Sequence, residues 1–152
     1  MQIGTRFSVA IHILLAVEIF KDSHKVTSDF LAGSVNTNPV VIRKIMGLLR
    51  EAGLIEIAAG TGGIKLAREP ERITLLDLYR AVEPVKGGHL FKIHEDPTLA
   101  CPIGGNIAEL LDPYFGEAQK AMEANLASST LQDLLDDLQA LRKRKEGQRP
   151  AR

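Results

Sequence analysis

One cysteine, Cys101, occurs in the 152 residues. That excludes an intrachain disulfide framework and fits a reducing compartment. Long apolar runs are also missing. The greasiest stretch, Ile11–Phe20, is interrupted by His12 and Glu18, and it falls short of the roughly 20 residues that cross a bilayer. The first residues lack a charged segment followed by an apolar one, so no signal peptide is read there. The expectation is a cytoplasmic protein with no membrane partner. The formal net charge is +0, so there is no global basic signal for nucleic acid. Phosphate-binding loops, dinucleotide-binding glycine motifs and Ser/His/Asp arrangements are absent, which argues against an enzyme.

Apolar residues make up 45% of the chain and charged ones 25%, enough for a buried core. The charges are unevenly placed. Residues 39–50 carry Arg43, Lys44 and Arg50 and no acid, while residues 101–141 carry seven acids and a single base, Lys120. Residues 142–152 hold six bases and one acid. A short basic helix with an acidic rear suits docking on DNA by one face, and it equally suits ordinary solvated surfaces.

Periodicity predicts a mainly α fold. Residues 4–20 place Phe7, Ala10, Ile11, Leu14 and Val17 at helical spacing. Thr27 or Ser28 caps a short helix that Gly33 ends. Asn38 caps the next helix and Pro39 takes its first position, with Gly53 just past its end. On that helix Val41, Ile45, Leu48, Leu49 and Ala52 are expected inward, and Val40, Arg43, Lys44, Gly47 and Arg50 outward. Two helices joined by a tight turn of four or five residues make a helix-turn-helix. Leu54–Ala58 and Ile64–Ala67 read as strands of a hairpin wing around Ala59-Gly60-Thr61-Gly62-Gly63, whose glycines allow the turn. Thr74 caps a helix that ends near Glu83-Pro84. The domain reading is a winged helix-turn-helix at 1–83, a connector and candidate sensor loop at 84–101, dimerisation helices at 102–145 and a frayed basic tail at 146–152. The long helix is expected to open at Pro102 and to kink or restart at Pro113. Ser129 or Thr130 caps a last helix whose leucine stripe runs from Leu131 to Leu141.

The run SVNTNPVVIRKIMGLLREAGLIEIAAGTGGIKLA, with ITLLDLYRAVEP and ACPIGGNI after it, resembles the Rrf family of bacterial winged-helix transcription regulators. That group includes iron–sulphur and nitric-oxide sensors, and the likeness is to its small cysteine-poor branch. The resemblance implies a symmetric dimer built on the long C-terminal helix, palindromic operators and control by a signal. Iron–sulphur members hold a cluster with three cysteines in the segment matching Gly88–Cys101. Only Cys101 stands here, and Gly104 stands where one member has a ligating histidine. No iron–sulphur cofactor is therefore expected.

The candidate DNA contacts are Thr27 and Ser28 at a helix start, Asn36, Thr37 and Asn38 in the turn, Val40, Arg43 and Lys44 on the recognition helix, and Thr61, Gly62 and Gly63 in the wing. Arginine is the commonest reader of guanine, and a valine can meet a thymine methyl. Capping competes for Asn38, and turn chemistry competes for the wing residues. Ile107, Leu110, Leu111, Tyr114, Ala118 and Met122 are the candidate dimer interface. Cys101 is a candidate redox sensor, because a thiol at a helix start is biased toward thiolate. His89, His94, Glu95 and Cys101 contain metal-ligating atoms, but their spacing matches no zinc pattern, so no metal is expected. His12 reads as a satisfied core histidine. The sequence thus points to a homodimeric repressor acting on double-stranded DNA. A metal- or redox-responsive sensor and a winged-helix protein-interaction module are the alternatives.

Overall fold

The computed structural model describes residues 4–60, 63–83 and 88–147. Helix α1 (Thr5–Phe20) is the central post of the fold, burying Ala10, Ile13, Leu14, Ala16 and Val17. Helix α2 (Ser28–Val35) begins at Thr27, whose hydroxyl accepts from the Phe30 amide at 3.2 Å. This cap satisfies an amide with no partner inside the helix. Gly33 lies within α2, and the helix ends instead at Asn36, in the left-handed region at φ 59°. Asparagine tolerates that conformation because its short side chain solvates the backbone locally, so a glycine was not needed.

Residues 36–38 join α2 to α3 (Pro39–Glu51), a tighter turn than the spacing predicts. Asn38 Oδ1 accepts the Val40 amide at 2.8 Å, and Pro39 follows at the first helical position. The buried face of α3 is Ile42, Ile45, Met46 and Leu49. Val41, expected inward, is exposed, and Leu48 is only half-buried. The two stripes are offset by one residue, about 100° around the axis, and a short helix crowded with apolar residues fits both phases.

The wing is an antiparallel pair, β1 (Ile55–Ile57) and β2 (Ile64–Leu66), in the register Ile55 with Leu66 and Ile57 with Ile64. A single 3-10 turn at Pro70–Arg72 leads into α4 (Leu75–Val82). Thr74 and Asp77 form a reciprocal capping box at the start of α4.

Helix α5 spans Ile107–Ala127 and runs through Pro113 without a break. It starts five residues later than the sequence reading placed it. Residues 101–106 are occupied by turns, in which the Gly105 amide donates to the Cys101 carbonyl at 2.9 Å and Asn106 Nδ2 donates to the Pro102 carbonyl at 2.8 Å.

Helix α5 leans on α4 through an Arg80–Glu123 ion pair at 2.7 Å. The connector is pinned to it by Gln119, which accepts from the Leu90 amide at 2.9 Å and donates to the Gly88 carbonyl at 3.0 Å. Phe91 packs on Phe115, with ring centroids 5.1 Å apart.

Helix α6 (Leu131–Gly147) turns back onto α1 and the 3-10 turn. The sequence reading grouped α6 with α5 as dimerisation helices, yet Leu131 is fully buried in the core of the N-terminal module and Leu135 packs against it. Thr130 is the cap that forms: its hydroxyl accepts the Asp133 amide at 3.2 Å while its own amide donates to Asp133 Oδ2 at 2.7 Å. Two backbone bonds clasp the starts of α4 and α6 together, Leu75 N–H to Ser129 C=O at 2.9 Å and Leu131 N–H to Ile73 C=O at 2.8 Å.

Candidate nucleic-acid interface

The outer face of α3 is built by elimination. Four apolar side chains fix the inner face in the core, which turns Val40, Arg43, Lys44 and Arg50 toward solvent. Val40 is 65% exposed and Val41 43%, so two β-branched apolar groups stand beside the cations at the leading end of the helix. Arg43 Nε donates to the Pro39 carbonyl at 3.3 Å. That bond lays the side chain back toward the helix start and leaves the outer guanidinium nitrogens to donate elsewhere. Among the described residues, Arg43, Lys44 and Arg50 have no acidic partner within salt-bridge distance.

The turn residues divide by role. Asn38 spends its side-chain oxygen on the cap, so it holds α3 in place. Asn36 is exposed, and Thr37 is half-buried with its amide donating to the Ala32 carbonyl at 3.0 Å. Thr27 likewise spends its hydroxyl as an acceptor in a cap, and Ser28 is half-buried. In the wing, Thr61 and Gly62 lie outside the described residues. Gly63 has φ +74°, and a Cβ placed there would sit 3.3 Å from the Val26 carbonyl oxygen. The end of the hairpin therefore rests against the segment leading into Thr27. The structure thus groups the wing with the start of α2, and the turn with the start of α3.

Two contributors escaped the sequence reading. Sequence periodicity places Val41 inside, one residue out of phase with the packed face. The stripe Ile42, Ile45, Met46 and Leu49 was the available signal, since it follows i, i+3, i+4, i+7 spacing without a gap. Arg68 caps the far end of α3 by donating to the Ala52 carbonyl at 3.1 Å, and it reaches Asp77 at 3.9 Å. A lone arginine after a strand carries no such signal in sequence.

The candidate dimer face is on α5. Leu110 is 56% exposed and Tyr114 69%, and Ala118 continues the same line at four-residue spacing. Ile107, Leu111 and Met122 are half-buried beside them. Cys101 is exposed and does not sit at a helix start. The Gly104 and Ile103 amides hold its thiol below the usual thiol range. Close approach makes that turn possible, because a Cβ on Gly104 would lie 2.5 Å from the Thr98 carbonyl oxygen. His12 is half-buried, with Nε2 at 2.8 Å from the Ser34 hydroxyl.

A helix-turn-helix whose second helix presents unpaired cations, followed by a two-stranded wing, defines a winged-helix DNA-binding protein. The family described as Rrf2, iron-dependent transcriptional regulator, matches residues 3–137, and the chain belongs to it as a DNA-binding transcription regulator. The chain is 43% identical to YwnA of Bacillus subtilis strain 168, provisionally named an HTH-type transcriptional regulator, over 137 residues, 90% of this chain and 99% of that protein. A crystal structure provisionally named a DNA-binding protein superposes with a TM-score of 0.69 at 39% identity, covering 86% of this chain and 98% of its own. A regulator-like protein from Lactobacillus plantarum gives a TM-score of 0.71 at 31% identity, covering 95% of this chain and 99% of its own. The family description speaks of iron, yet one thiol cannot supply a three-cysteine ligand set. Among the described residues, no three His, Cys, Asp or Glu side chains gather into a candidate metal site.

Proposed function

We propose that the protein is a cytoplasmic, non-catalytic repressor that acts as a homodimer on a palindromic operator, with α3 of each protomer entering a major groove. The observation that carries this reading is the outer face of α3. Arg43 and Lys44 project, free of acids, from a helix whose inner face is fixed by the core. Cations without protein partners release counterions from phosphate or donate to base edges. Thr27, Ser28, Asn36, Thr37, Val40 and the wing residues Thr61, Gly62 and Gly63 complete the proposed contact surface, with Asn38 holding the geometry. Pairing through α5 would cover Ile107, Leu110, Leu111, Tyr114, Ala118 and Met122. It would also set two recognition helices roughly 34 Å apart or a multiple of that.

Genomic pull-down sequencing supplies the operator, and gel shifts across a salt series then test the face. Arg43→Ala is expected to weaken operator binding by about 1–3 kcal/mol and to relax the sequence preference. Lys44→Ala is expected to weaken all sequences alike and flatten the salt dependence. Full operator affinity in the double variant would remove α3 from the interface.

A further inference from the structure

A cleft of about 480 Å³ opens between α1, α2 and α6. That volume lies in the range typical of small-molecule sites. Leu15 and Phe20 of α1 and Leu138 of α6 form apolar walls. The polar residues are few: His12 and Ser34, bonded to each other at 2.8 Å, and Arg142. Among the described residues Arg142 has no ion pair. Glu18 and Asp136 line an adjoining groove that Arg142 also borders. Glu18 is already paired with Lys21, and Asp136 accepts from Gln132 Nε2 at 2.8 Å.

An apolar slot lined by one arginine that has no ion-pair partner among the described residues selects a definite chemistry. A neutral apolar ligand leaves the cation unanswered, and a dianion would have to desolvate a second charge against the apolar walls. We propose that this cleft is an effector site for a small monocarboxylate with an aromatic or short aliphatic body. The carboxylate pairs with Arg142, and the body lies between Leu15, Phe20 and Leu138. The cleft bridges α6 and α2, and Ser34 stands two residues before the left-handed Asn36 that aims α3. A ligand that fits one spacing of these helices better than another biases the position of α3, and DNA affinity changes reciprocally. This regulatory half rests on the proposed function.

Calorimetric titration of the full-length protein tests the site with benzoate and hexanoate as probes and benzyl alcohol as the uncharged comparison. Saturable binding of at least one carboxylate is expected, weakened about tenfold by Arg142→Gln. It should be abolished by Leu138→Trp, which fills the slot, in protein shown to be folded by circular dichroism. Absence of saturable binding, equal binding of benzyl alcohol, or undiminished binding in either folded variant would overturn the site. Gel shifts with and without the bound probe separate the two readings. Carboxylate binding by a protein that never shifts DNA sinks the repressor reading and leaves the cleft standing. Carboxylate binding with unchanged DNA affinity overturns the effector role.

Discussion

At Cys101 the chemistry comes from glycine rather than from a helix end. Gly104 lets the chain pass so close to the Thr98 carbonyl that two amides, those of Ile103 and Gly104, point at the sulfur. Amide donors favour the thiolate, the form that alkylating agents and oxidants attack. The thiol is exposed, so burial does not slow access. Iodoacetamide labelling of Cys101 is therefore expected to persist to lower pH than labelling of a free cysteine peptide. Gly104→Ala should push the labelling midpoint back up by closing the turn against Thr98. An unchanged midpoint in that variant would remove the two amides as the cause. If the thiol also acts as a redox sensor, peroxide should release DNA from the wild type and not from Cys101→Ser.

Helix α6 is held at its start by an element-scale device, the Thr130–Asp133 box, and its pH behaviour follows. The backbone and hydroxyl donors of Thr130 hold the Asp133 carboxyl below its ordinary value of 3.8. A carboxylate whose folded pKa is depressed adds stability above its unfolded pKa, and that stability is lost as pH falls through the folded value. Asp133→Ala should therefore lower the melting temperature at neutral pH and flatten its fall below about pH 4. Melting curves that differ equally at all pH values would show that the carboxyl charge is not involved. Much of this architecture was legible from local rules. Asn38-Pro39 marked the start of α3 because a cap and a residue without an N–H are both rewarded there, and the glycines of residues 59–63 marked the wing. The inward phase of α3 is only weakly legible, because Val41 and Ile42 are equally apolar and the gapless stripe Ile42, Ile45, Met46 and Leu49 competes with a second stripe through Val41. The delayed start of α5 was hidden for a similar reason. Pro102 satisfies the rule for a first helical position, but Gly104 and Gly105 behind it approach the Thr98 and Leu99 carbonyls more closely than a Cβ allows. The partner of α6 was also hidden, since a leucine stripe does not say whether it covers its own chain or a second copy.

At the scale of the molecule the two C-terminal helices part company: α6 closes on α1, while α5 keeps Leu110 and Tyr114 in solvent. An exposed apolar line of this kind calls for a partner. Leu110→Glu combined with Tyr114→Glu should shift sedimentation at micromolar concentration toward monomer, with helical circular dichroism retained. A double variant that still sediments as a dimer would place the two-fold contact elsewhere. The burial of Leu131 also has a consequence for synthesis. A ribosome makes the chain from its first residue onward, so the helix-turn-helix, the wing and the whole of α5 emerge before the side chain that fills the space beneath Ile73. The reading head is therefore left unfinished until nearly the last helix is made, with a gap whose cost is about 2–5 kcal/mol by analogy with removal of a buried leucine. A prematurely ended chain would hold a weakened head and would make a poor competitor for the operator. The fragment 1–83 should accordingly melt without a sharp transition, and a peptide spanning 128–147 added in trans should restore one. A fragment that melts sharply by itself would show that the head matures without its distant keystone.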